Sequence, residues 1–108
     1  MTFQEKLRAA AAQNRSLLCV GLDPDQAQLP ASVRDQDNPT LHFLKQIIDS
    51  TADLVCAYKP NFAFFGAVGE RGWSTLKATL KHIPPSIPVL IDAKVGDIGN
   101  TADRKSVV

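Results

Sequence analysis

Three uninterrupted apolar runs, each closing on a charged residue, constrain the fold of this chain more than any other feature. They are Ser16-Leu17-Leu18-Cys19-Val20-Gly21-Leu22-Asp23, Leu54-Val55-Cys56-Ala57-Tyr58-Lys59 and Ile87-Pro88-Val89-Leu90-Ile91-Asp92-Ala93-Lys94. Runs this short suit strands rather than helices, and their lack of polar alternation suits strands covered on both faces. Helical patterns separate them. Thr2 and Glu5 have the spacing of a capping box, and Phe3, Leu7, Ala10 and Ala11 follow at helical intervals, which predicts a helix from Phe3 to Gln13. Asn14 and Arg15 break it. After the first run, Pro24 to Asp37 read as a polar loop with one short helical turn. Asn38-Pro39 then gives a cap followed by proline at the first helical position, and Leu41, Leu44, Ile47, Ile48 and Thr51 form one stripe. Trp73, Leu76, Leu80 and Ile83 are in helical register until Pro84-Pro85 stops them. Gly96 and Gly99 follow the third run, with a new helix cap at Asn100 or Thr101.

Buried strands alternating with amphipathic helices predict βα units around a parallel sheet, with about three strands present. Such folds bind ligands at the C-terminal ends of their strands and draw catalytic groups from several ends at once. Asp23, Lys59, Asp92 and Lys94 stand at those ends, which favours an enzyme. Asp92 and Lys94 are two apart on one strand and share a face. Asp97 follows in the loop, and Lys59 ends the neighbouring strand in the chain. Alternating charges hold each other ionised in a partly desolvated pocket. The array offers a lysine able to give up a proton and carboxylates able to repel a negative group on a substrate. Two other readings stay open: a salt bridge that merely caps a strand, and a Mg²⁺ site between Asp92 and Asp97, against which Lys94 competes. His42 and His82 read as surface residues and Trp73 as core. Gly96-x-x-Gly99 is too short and misplaced for a dinucleotide loop.

Composition narrows the partners. Twelve basic residues against eleven acidic ones give a formal charge of +1, which supplies no footprint for nucleic acid or for an anionic membrane. No apolar run approaches the roughly 18 residues of a membrane helix. MTFQEKLRAA has an early Glu and no apolar signal segment. Cys19 and Cys56 lie in apolar stretches without metal-ligand spacing and read as buried reduced thiols. A soluble cytoplasmic protein is expected.

Three segments together carry a resemblance. Gly21-Leu22-Asp23-Pro24-Asp25, Tyr58-Lys59-Pro60-Asn61-Phe62-Ala63-Phe64-Phe65, and Asp92-Ala93-Lys94-Val95-Gly96-Asp97-Ile98-Gly99-Asn100-Thr101 closely resemble the longer bacterial-type branch of the orotidine 5′-phosphate decarboxylases, from about residue 2 to residue 104. Related sugar-phosphate enzymes share the D-x-K-x-x-D core, while Gly99-Asn100-Thr101 and Lys59-Pro60-Asn61 point to the decarboxylase. The resemblance implies the N-terminal part of a (β/α)8 TIM barrel and conversion of orotidine 5′-phosphate to uridine 5′-phosphate in pyrimidine biosynthesis. It implies Lys94 as proton donor to pyrimidine C6 and Asp92 against the substrate carboxylate. Lys59 completes the charge network and reaches the ribose, and Asp23 accepts a hydrogen bond from a ribose hydroxyl. Asp97, Ile98 and Thr101 are implied to reach the site across a homodimer interface. No metal, flavin, pyridoxal phosphate or thiamine is implied.

A complete barrel of this kind takes about 250 residues, and this sequence has 108. The expectation is one partial barrel domain over 1–108, running from the first strand to the third. The family's phosphate-gripping segments come from later strands. Lys105-Ser106-Val107-Val108 does not continue an amphipathic pattern. Together these predict a truncated or frameshifted reading frame, or a partial gene, that does not act alone and leaves apolar edges uncovered; the alternative is a non-catalytic fragment that only associates with intact subunits.

Overall fold

The computed structural model describes residues 1–92, and in them strands and helices alternate as the apolar runs require. α1 (Phe3–Asn14) starts where the Thr2 hydroxyl accepts a hydrogen bond from the Glu5 N–H at 3.1 Å, and ends at Arg15 in a left-handed conformation (φ 48°). β1 (Cys19–Leu22) follows. The polar connection after it holds a 3₁₀ turn (Gln26–Gln28) and α2 (Ala31–Arg34), two short turns where the sequence suggests one. α3 (Pro39–Thr51) begins at the Asn38 cap, and β2 (Ala57–Pro60), α4 (Phe62–Gly66) and α5 (Glu70–His82) complete the described chain. α4 is an addition to the sequence reading. Asn61 starts it by accepting the Ala63 N–H at 2.9 Å.

β1 and β2 pair in parallel, from Cys19 opposite Ala57 to Leu22 opposite Pro60. The third run, as far as Asp92, lies on the far side of β2 and keeps one register, with Tyr58 opposite Val89 and Asn61 opposite Asp92. The Tyr58 N–H donates to Pro88 O at 3.1 Å and the Leu90 N–H to Tyr58 O at 2.8 Å. The Asp92 N–H donates to Pro60 O at 3.0 Å and the Phe62 N–H to Asp92 O at 2.9 Å. The ladder is interrupted between these pairs because Pro60 has no N–H to offer Leu90.

One face of this sheet is packed under the helices. Leu22 and Tyr58 meet Leu44 and Ile48 of α3, Phe65 of α4 and Leu76 of α5 in the core. Small residues shape the α5 side: Gly72, Thr75 and Thr79 are buried beside Leu76. The threonine hydroxyls donate back along the helix, Thr75 to Arg71 O at 2.9 Å and Thr79 to Thr75 O at 2.7 Å, so neither is stranded. Trp73 is therefore turned off the buried arc. It is 37% exposed and meets Phe62 edge-on, with ring centroids 5.4 Å apart, which corrects its reading as core. His42 is exposed. His82 pairs with Asp49 of α3 at 2.7 Å, a solvent-washed contact of the kind that adds little stability.

Tyr58 ties β2 to α3. It is fully buried, and its hydroxyl lies 2.7 Å from Thr51 Oγ1 and donates to Ile48 O at 3.2 Å. Burial raises the phenol above its ordinary 10.0, the Thr51 hydrogen bond opposes this, and Asp49 and Asp53 add to the rise. Above that value the unfolded chain sheds the proton while the folded one keeps it. Native stability should therefore fall with rising pH, by about 1.4 kcal/mol per unit from this group, until the folded phenol titrates too. Urea midpoints measured between about pH 9 and 11 should fall more steeply for the parent chain than for Tyr58→Phe.

Candidate active site at the strand ends

The face of the sheet turned away from that core carries the charged strand-end residues. Residues two apart on a strand share a face, and parallel neighbours in register point the same way. Gly21 stands opposite Lys59, and the Asn61 N–H donates to Leu22 O at 3.3 Å, which carries the register one step beyond β1. Asp23, Asn61 and Asp92 consequently form a row across three strand ends, with Lys59 two residues behind on the same face. Asp92 is held through both of its backbone groups on the β2 side, its N–H donating to Pro60 O and its carbonyl accepting from the Phe62 N–H. The Asp23 carboxylate turns back over Gly21: a Cβ placed there would sit 3.7 Å from both carboxylate oxygens. That brings it toward the position opposite Lys59. Lys59 and Asp92 are half-buried and Asp23 is exposed.

Three of the residues expected from sequence (Asp23, Lys59 and Asp92) thus share one face at the C-terminal edge. Lys94, Asp97, Ile98 and Thr101 lie outside the described residues. Asn61 was not singled out as a site residue, although it occupies the centre of the row and is 5% exposed. Its signal was the Pro60-Asn61 step itself, a cap placed directly after a strand ending in charge. The arrangement is a mixed array of two carboxylates, an ammonium and an amide on a half-open surface. It suits recognition of hydroxyls and of an anionic group. Among the described residues, no group of three or more His, Cys, Asp or Glu side chains is placed to hold a metal ion.

The same face carries Cys19, and this corrects its reading as a buried thiol. It is free and exposed, whereas Cys56 is free and buried. Partial desolvation pushes the Cys19 thiol above its ordinary value of 9.0, the Lys59 charge draws it down, and Cys56 raises it. Leu90 is 49% exposed on this face, Ile91 is 42% exposed beside it, and Leu17, at 92%, stands before β1. Uncovered apolar edges of this sort were expected from a sheet of three strands. No helix among the described residues is long and apolar enough to cross a membrane.

Residues 16–106 match the model of the Orotidine 5'-phosphate decarboxylase / HUMPS family. An orotidine 5'-phosphate decarboxylase of Herpetosiphon aurantiacus is 56% identical over 100 residues, covering 93% of this chain and 38% of that protein. One from Dechloromonas aromatica is 49% identical over 110 residues, covering 99% of this chain and 40% of that protein. The solved structure of Leishmania donovani OMP decarboxylase superposes with a TM-score of 0.69 at 39% identity, covering 95% of this chain and 37% of that one. The chain thus spans about two fifths of the length of the curated relatives it matches. With three parallel strand segments in register and charge along their C-terminal ends, the chain belongs to the orotidine 5'-phosphate decarboxylase / HUMPS family and has the fold of the N-terminal part of its (β/α)8 barrel.

Proposed function

We propose that the chain contributes the charged half of an orotidine 5′-phosphate decarboxylase site, working in uridine 5′-phosphate synthesis in the cytoplasm. The observation that carries this reading is the row Asp23, Asn61, Asp92 with Lys59 behind it, at the edge where barrel enzymes do their chemistry. In the reaction the bond from C6 to the carboxylate breaks, carbon dioxide leaves, and the electron pair left on C6 takes a proton. Lys94 supplies that proton. Asp92 lies against the departing carboxylate and keeps Lys94 charged. Lys59 completes the network and meets the ribose, and Asp23 accepts from a ribose hydroxyl. Asp97, Ile98 and Thr101 enter the neighbouring subunit's site, which makes the working unit a homodimer. Residues 1–108 are one partial barrel domain in this reading, and the substrate phosphate is held by strands beyond it. Remote phosphate binding is what supports difficult chemistry at the reacting carbon. No metal or organic cofactor takes part.

The test is loss of orotidine monophosphate absorbance, followed with the chain alone and with the chain joined to the part of the Herpetosiphon aurantiacus relative beyond the match. The joined protein should decarboxylate the nucleotide, Lys94→Ala should abolish that activity, and hexulose phosphates should be inert. Turnover of a hexulose phosphate in place of the nucleotide would instead assign the chain to the sugar-phosphate lyases that share the D-x-K-x-x-D core.

A further inference from the structure

A second polar site lies away from the strand-end row, in the connection between β1 and α3. A cavity of about 410 Å³ is lined there by Gln26, Arg34, Asn38, Thr40, Val68 and Arg71. It brings together the turn after β1, the first turn of α3 and the first turn of α5. A narrower cleft beside it shares Gln26, Asn38, Thr40 and Arg71 and reaches inward to Thr75.

Its donors outnumber its acceptors. Thr40 is only 6% exposed, lines both spaces, and has a buried hydroxyl with no hydrogen-bond partner among the described residues. A stranded hydroxyl of this kind carries a desolvation cost that a bound ligand relieves. The α3 first turn has its positive end at the same place. Pro39 has no N–H, and the Leu41 and His42 N–H groups are bonded to Asn38, which leaves the Thr40 N–H as the donor not used by the cap. Arg34 is held by its Nε, which donates to Leu29 O at 2.8 Å and leaves the terminal guanidinium nitrogens for another acceptor. Among the described residues no carboxylate lies within ion-pair distance of Arg34 or Arg71.

We propose that this cavity binds a phosphate-type oxyanion, held by the Arg34 and Arg71 guanidinium groups over the start of α3 with Thr40 as the buried donor. Guanidinium forks and helix N-termini are matched to such oxygens. The site is separate from the strand-end row and does not rest on the decarboxylase reading. It takes the anion either free or as the phosphate of a small metabolite.

Potassium phosphate titrated into the isotopically labelled chain at constant ionic strength, with chloride as control, tests it by amide shifts. Saturable shifts are expected at Thr40, Leu41 and Arg71. Arg71→Gln, at an exposed position, should weaken the apparent affinity about tenfold, as for one lost charge-assisted hydrogen bond. Thr40→Val should raise stability without phosphate and lose the extra stability that phosphate confers. Ribose 5-phosphate in place of phosphate separates the two sources: tighter binding at the same amides assigns the site to a phosphorylated metabolite, and equal binding to the free anion. Absence of saturation, shifts confined to Gly21, Lys59 and Leu90, or affinity unchanged by Arg71→Gln would each overturn the proposal.

Discussion

Gly72→Ala should cost about 3 kcal/mol or more and lower the melting temperature by roughly 15 °C or more. The reason is a close approach of backbones. A Cβ at Gly72 would lie 1.6 Å from Phe65 O, 2.7 Å from Phe65 C and 2.7 Å from Val68 Cγ2. Two of those atoms are main chain in α4, so no rotamer change relieves the overlap. α4 and α5 would have to separate by more than an ångström, opening the core where Phe65 and Leu76 meet. Stability of a small domain is only about 5–15 kcal/mol, so a loss of this size is felt in full. Gly21→Ala is the control. Its Cβ would meet nothing nearer than the Asp23 carboxylate at 3.7 Å, an ordinary contact with a movable group. It should change stability by less than about 1 kcal/mol. Chemical denaturation of both variants beside the parent chain checks the contrast, and a Gly72→Ala chain as stable as the parent would contradict the α4–α5 packing described above.

That glycine also marks the limit of reading this chain by hydropathy. Strands, helix caps and the charged strand ends were legible because each rests on local chemistry. Thr2 and Asn38 cap their helices through their own side chains, and the apolar runs end in charge where the sheet meets solvent. The face of α5 was not legible. Its apolar residues, with Trp73 among them, suggested one stripe, but the buried arc is set by Gly72, Thr75 and Thr79, whose small size admits the neighbouring helix. Hydropathy gives no weight to an absent side chain. α4 was missed for a related reason: Phe62–Gly66 is too short to show a period, and its start depends on the Asn61 cap. Cys19 was misplaced because an apolar run does not tell which face of a strand will be covered. The site row was half legible. Strand-end charge identified Asp23, Lys59 and Asp92, whereas the place of Asn61 between the two carboxylates follows from inter-strand register, a long-range property.

In the joined protein, Lys59→Ala and Asp92→Asn should each lower kcat/KM by about 10²–10³-fold, the range found when one preorganised charge-stabilising group is removed. Both residues are half-buried on the face of the row, and the N–H and carbonyl of Asp92 are both bonded to the β2 side. Their charges are therefore presented in fixed places and need little rearrangement during the reaction. Groups that act on one developing charge are not independent, so the double variant should lose less than the product of the single losses. The way each loss divides matters more than its size. In the proposed reading Asp92 keeps Lys94 charged, and its loss should act mainly on kcat, because that support counts most as the proton is delivered to C6. In the same reading Lys59 also meets the ribose, and its loss should raise KM as well. A salt bridge that only caps the strands predicts something else: both variants would lose stability in urea and keep their turnover. Steady-state kinetics read beside urea midpoints separates these cases, since a catalytic charge can be removed with the fold intact, whereas a strand cap cannot.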